Sequence, residues 1–261
     1  NRCSGARMMS ERPANSEGPR PANISRQPFV RREARLIIAF IIVAVALLVV
    51  VRLGSEIRED GTSGFDTWAL LSLRQPGNLG VPIGPAWLQP VFVDITALGG
   101  VTALTLLTVS VVGYLLVAKK WLNAALIATA TISGSLIGQT LKLSFARARP
   151  TIVPHFVEIH SLSFPSGHAT NSAVVFLTLG SMLAQVQDTR STRIYVVAIA
   201  ILLTILIGIS RVYNGVHWPT DVIAGWAIGG SWALFWWVIA YRMTRSGSGR
   251  DAKGFSGTYR T

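Results

Sequence analysis

Three short polar stretches break an otherwise apolar chain: Lys142 to Pro150, Pro165-Ser166-Gly167-His168, and Ser210 to Asp221. Ionisable groups at the ends of long apolar runs are costly enough to point to function. Lys142 and Arg149 are seven residues apart, which predicts two helical turns on one face if the helix runs on to the residue before Pro150. Arg211 adds a third cation. Guanidinium groups grip phosphate oxygens bidentately, and a lysine contributes a point charge. Ser166 and Gly167 fall where a helix begins, so backbone N–H groups and the positive end of the helix dipole are expected to face the same anion. These five residues describe a phosphate cradle.

Two histidines accompany it. His217 precedes Asp221 by four residues, with Pro219 suited to the first turn of a helix, so the carboxylate can hold one ring nitrogen and leave the other as a nucleophile. His168 stands at the start of the next helix and is placed to protonate a leaving oxygen. A nucleophile, its orienting acid, a separate proton donor and several donors for equatorial oxygens are the parts of a phosphoryl transfer. No carboxylate cluster suited to magnesium or calcium lies with them, so the expected chemistry is dephosphorylation through a phosphohistidine without metal or cofactor. His155 and His160 lie in an irregular loop without ligand spacing, which argues against a zinc site. Arg147 is assigned no catalytic part.

The elements that must position these groups are membrane helices. Half of the 261 residues are hydrophobic and 14% are charged, a balance foreign to a soluble domain of this length. Apolar runs cover 36–51, about 95–118, 121–141, 169–187, 194–210 and about 222–241. Flanking arginines extend the first, and each is then long enough to cross ~30 Å of hydrocarbon. The expected fold is therefore all-α, an integral membrane bundle of six transmembrane helices. Residues 55–93 are broken by Gln75-Pro76-Gly77 and by Val81-Pro82-Ile83-Gly84-Pro85. Within them Phe65, Trp68, Leu70 and Leu71 suggest a short interfacial helix in the first outer loop. Gly134 with Gly138, and Gly225 with Gly229, have the spacing of close helix contacts. Trp226, Trp232, Trp236 and Trp237 read as packing and an interfacial belt.

The +12 net charge does not require nucleic acid, because the basic residues gather in the tails and short connections. Residues 1–35, with eight arginines, read as a disordered basic cytoplasmic tail; 36–241 form the membrane unit, and 242–261 a basic cytoplasmic tail. With both termini inside, 17 basic residues are cytoplasmic and seven lie outside. All three polar stretches then fall on the outer side. The one cysteine, Cys3, offers neither a disulfide nor a metal site.

Lys-x6-Arg-Pro, Pro-Ser-Gly-His and Ser-Arg-x5-His-x3-Asp, in that order, resemble the complete signature of the type 2 phosphatidic acid phosphatase family. The resemblance extends over residues 36–241 and departs from the pattern at no signature position. It implies that Lys142, Arg149, Ser166, Gly167 and Arg211 bind phosphate, that His168 is the acid, that His217 is the nucleophile and that Asp221 orients it. It also implies a bacterial inner-membrane enzyme acting at the periplasmic or outer face on a phosphorylated lipid. Undecaprenyl pyrophosphate, phosphatidylglycerol phosphate, phosphatidic acid and lipid A 1-phosphate are the substrates it suggests. The alternatives are a phosphotransferase using the same phosphohistidine and a non-catalytic phospholipid-binding protein, whose expected mark is loss of His168, His217 or Asp221. A vanadate-dependent haloperoxidase has a similar cradle, and the apolar runs argue against it.

Overall fold

A computed structural model describes residues 27–60, 63–158 and 161–254, with the backbone alone at 27–36, 59–60 and 244–254. Residues 1–26, His160 and residues 255–261 lie outside the described residues, as does most of the segment expected to form the amino-terminal tail. The first helix, α1 (Gln27–Asp60), begins within that segment and runs past the expected end of the first span. Arg52 and Glu56, four residues apart, suit its exposed face. Gly54 removes a side chain where the Phe145 ring presses closest, 2.5 Å from where a Cβ would stand.

The segment that follows α1 is folded, and among the described residues it includes the one departure from an all-helical plan. α2 (Gly64–Leu71) is capped by Ser63 and buries Asp66 and Leu70 while exposing Phe65 and Trp68. A hairpin pairs β1 (Arg74–Gln75) with β2 (Asn78–Pro82), turning at Pro76-Gly77 with Gly77 at φ 84°.

The second apolar run is not one straight helix. α3 (Leu88–Leu98) and α4 (Val101–Val117) meet at Gly99-Gly100 with a 46° bend. The glycines are needed there: a Cβ on Gly99 would stand 2.3 Å from Ile207 and 3.3 Å from the His168 ring. α5 (Trp121–Phe145), α6 (Gly167–Gln185), α7 (Arg190–Tyr213) and α8 (Pro219–Gly254) complete the bundle.

Among the described residues, four helices are long and apolar enough to cross a membrane, five if the bent pair is one span. α6 is not among them, and its position explains why. It packs against α5, α7 and α8, with eight of its residues buried, so it has no need of an apolar surface all round. The two glycine pairs seat it. A Cβ on Gly134 would stand 2.8 Å from Val174, and one on Gly229 would stand 2.5 Å from the Thr170 carbonyl oxygen. The tryptophans expected to pack do so in part, Trp226 donating to Thr204 O and Trp232 to Ala130 O.

Candidate active site

The expected two-turn face carrying Lys142 and Arg149 does not form. α5 stops at Phe145, because Ala146 turns into the left-handed region (φ 49°) and donates its N–H back to Lys142 O. The carbonyls beyond it are taken by other elements: Ser163 N–H donates to Arg147 O, and the Trp218 indole donates to Ala148 O. Lys142 is thus on a helix and Arg149 on a loop, yet both reach the same place. Lys142 Nζ lies 3.4 Å from Ser161 Oγ and close to Gly167. Arg149 donates to Ser161 O and Oγ, to Leu162 O and to Val216 O, and its Nη1 lies 3.1 Å from His217 Nε2.

Arginine carries only donors, so His217 Nε2 accepts from Arg149 and the ring hydrogen sits on Nδ1. Nδ1 lies 3.3 Å from Asp221 Oδ2 and 3.4 Å from Ser163 Oγ. The Asp221 carboxylate is itself fixed. Oδ2 accepts from the Ser163 hydroxyl and from Trp218 N–H at 3.0 Å, and Oδ1 accepts from Arg147 at 2.7 Å. The arrangement aims the Nε2 lone pair at the cations.

Arg211, at the end of α7, donates Nη1 to Thr96 Oγ1 of α3 at 2.9 Å and leaves its buried Nε without a partner. Among the described residues, none of Lys142, Arg149 and Arg211 has a carboxylate within ion-pair distance. All three act electrostatically on His217 and on His168. A buried donor without an acceptor, amid cations that have no carboxylate partner among the described residues, suits an anion. Ser166 sits where its spacing suggested, as the N-cap of α6, and its polar groups are engaged within the protein. Its backbone N–H donates to Asp221 O at 3.0 Å, and its hydroxyl caps α6 by accepting from Ala169 N–H. Gly167, the first residue of α6, remains beside Lys142. His168, half-buried, stands by the Gly99-Gly100 bend. His155 hydrogen-bonds to Pro150 O, away from this cluster.

Several contributors lay outside the sequence reading. Arg147 is 5% exposed and joins Asp221 to Asp66 of α2, at 2.7 Å on each side. Asp66 also accepts from Thr220 N–H and Thr220 Oγ, which ties α2 to the first turn of α8. Ser161, Ser163 and Thr96 likewise sit in segments without a motif. An aspartate in a helix with an apolar exposed face was the one available signal for Asp66.

The charges have a pH consequence. Burial, then the charges of Arg149, Arg211 and Lys142, hold the His217 imidazole well below the ordinary histidine range. Burial lowers Arg149 to about 10 with Asp221 opposing the shift, so it stays charged at neutral pH. An unfolded histidine titrates near ~6.5, so below that value the unfolded chain binds a proton that the folded one refuses, and stability falls as pH falls. The thermal midpoint in detergent is expected to drop between pH 7 and pH 5, and His217→Gln should drop less steeply. Parallel slopes for the two proteins would show that His217 is not held neutral.

Fold and site together define an all-helical membrane protein with a cationic cradle facing a carboxylate-held histidine. A family model described as the PAP2 superfamily matches residues 123–245. Phosphatidylglycerophosphatase B of Bacillus subtilis (strain 168) is 35% identical over 164 residues, which cover 62% of this chain and 74% of that protein. The crystal structure of a transmembrane PAP2 type phosphatidylglycerolphosphate phosphatase from Bacillus subtilis is similar with a TM-score of 0.67 at 27% identity, covering 77% of this chain and 96% of that one. The lipid A 1-phosphatase of Rhizobium etli is 33% identical over 132 residues, 47% of this chain and 52% of that protein. The chain belongs to the PAP2 superfamily, and it is a phosphatase.

Proposed function

We propose that the protein removes a terminal phosphate from a lipid phosphate or lipid pyrophosphate through a phosphohistidine at His217. The observation that carries this reading is the convergence of three cations, without carboxylate partners, on a histidine whose Nδ1 faces a fixed carboxylate. Substrate phosphate oxygens replace His217 Nε2 as acceptors for Arg149, which frees the Nε2 lone pair. That lone pair attacks phosphorus, the N–P bond forms, and the P–O bond to the lipid breaks. His168, protonated once the negative charge of the substrate offsets the surrounding cations, gives its proton to the leaving oxygen. Lys142, Arg149, Arg211 and the amide of Gly167 hold the equatorial oxygens, while Ser166 fixes the turn that presents them. Water then attacks phosphorus, His168 takes a proton from it, and the N–P bond breaks to release phosphate. Asp221 supports the imidazolium character that His217 gains.

In this reading the bent α3–α4 pair is one span and α6 another, giving six. Both termini are cytoplasmic, as the distribution of basic residues favours, and the site faces the exterior of a bacterial membrane. α2 lies in the interface with Phe65 and Trp68 outward. Residues 36–241 form the catalytic unit between the basic tails. The names of two relatives, phosphatidylglycerophosphatase B and lipid A 1-phosphatase, describe action on phosphorylated lipids and support a lipid substrate. The cradle's cations supply the neutralising charge that a metal supplies elsewhere, so turnover is metal-independent.

The test is phosphate release by the purified protein in detergent, with EDTA present, from undecaprenyl pyrophosphate, phosphatidylglycerol phosphate, phosphatidic acid and lipid A. Release from at least one lipid, blocked by vanadate, is expected. Release that returns only on adding a divalent cation would overturn metal independence. A folded, monodisperse sample that releases nothing would overturn hydrolysis itself and turn attention to transfer or binding.

A further inference from the structure

Arg147 sets a problem for the proposed mechanism, on which this inference rests. Asp221 is useful because its negative charge faces His217 as that ring becomes cationic. A guanidinium 2.7 Å from Asp221 Oδ1, with both groups buried, offsets that charge. It also holds the carboxylate so that Oδ2 points at Nδ1. Orientation is gained at the expense of field.

Asp66 resolves the conflict. Its Oδ2 lies 2.7 Å from the other arm of Arg147, and its carboxyl is 0% exposed. Thr220 holds it from two directions, through N–H to Oδ1 at 2.9 Å and through the hydroxyl to Oδ2 at 2.6 Å. The same threonine hydroxyl accepts from Arg147 at 2.8 Å. We infer that Asp66 of α2 is a positioning residue for the phosphoryl transfer: it draws the charge of Arg147 away from Asp221 while leaving the arginine in place as a clamp. Arg147 thereby orients the carboxylate without neutralising it. A helix in the outer segment, far from the signature in sequence, sets how strongly Asp221 supports His217.

The two carboxylates and the arginine couple, so their substitutions should not add. Asp66→Asn keeps the size of the side chain and an acceptor for Thr220 N–H, and replaces the charged oxygen facing Arg147 and the Thr220 hydroxyl with an uncharged amide N–H. It should lower kcat about 10-fold, the scale seen when an outer partner of an active-site ligand is lost, with KM little changed. Adding Arg147→Gln then removes the unbalanced cation and keeps an N–H for Asp221 Oδ1. The double variant D66N/R147Q should be more active than D66N alone. A purely structural role predicts the reverse, since each change removes buried hydrogen bonds and the losses accumulate.

The experiment measures kcat and KM for wild type, D66N, R147Q, the double variant and His217→Ala, all full-length in one detergent, with thermal midpoints alongside. Wild type and His217→Ala decide the reading of the reaction; the comparison among the Asp66 and Arg147 variants decides this inference. A lowered kcat in D66N that rises again in the double variant supports it. Wild-type kcat in D66N, or a double variant slower than D66N, overturns it. Should D66N fail to fold, the double variant is compared with wild type directly, where kcat within about tenfold supports the inference and loss beyond that overturns it.

Discussion

Replacing His217 with alanine should reduce phosphate release by about three orders of magnitude or more, because in the proposed mechanism it removes the atom that bonds to phosphorus. The loss should appear in kcat, with the lipid still bound, since Lys142, Arg149 and Arg211 keep their own supports in Ser161, Val216 and Thr96. Rapid quenching of the wild-type enzyme with labelled lipid should trap an acid-labile, base-stable phosphoenzyme, as expected for a phosphoramidate. The alanine variant should form none. A normal phosphoenzyme in that variant would place the covalent bond on another residue. The thermal midpoint keeps the result interpretable, because His217 is 1% exposed and its removal leaves a small cavity.

A second large effect is expected far from phosphorus. Gly229→Ala puts a methyl group 2.5 Å from the Thr170 carbonyl oxygen and 2.6 Å from Ala173 Cβ, against backbone that cannot swing aside. Overpacking costs about 1–3 kcal/mol and outweighs the gain of up to ~1 kcal/mol from replacing a helical glycine. The midpoint should fall by several degrees. Activity should fall with it, because α6 and α8 are also joined at their N-terminal ends, where Ser166 N–H meets Asp221 O. Gly230→Ala is the matched control: the nearest atom to its new Cβ is Leu177 Cδ1 at 3.8 Å, so stability should hold or rise slightly. Equal midpoints for the two variants would show that α6 and α8 are not closely packed at Gly229.

The sequence carried the membrane helices and the signature groups because both depend on short-range pattern. Apolar runs report burial in lipid whatever their neighbours are, and a cation or imidazole in such a chain stands out by itself. The glycine pairs were legible as contacts, although nothing local revealed that both press on α6. Two readings failed where a long-range contact overrode a local rule. Helix periodicity carried α5 on toward Pro150, whereas Ala146 ends it so that Arg147 can reach Asp66 and Asp221. The run from 95 to 118 looked continuous, whereas Gly99-Gly100 bends it around Ile207 and His168. Asp66 and Ser163 have contacts that were not legible for a related reason. Each is a common residue in a polar loop or short helix, and only the fold shows that it touches the histidine's partner.

The left-handed Ala146 has a further meaning for the signature itself. In the sequence, the interval from lysine to arginine reads as a repeat of helical phase, but in the fold it measures contour length along a chain that leaves its helix after Phe145. Arg147 and Arg149 are chemically identical, and only their distance from that exit decides which one clamps carboxylates and which one meets the His217 ring. One residue inserted or removed after Ala146 would deliver two correct side chains to the wrong addresses. The spacing is therefore a ruler, and the strained alanine is its zero mark.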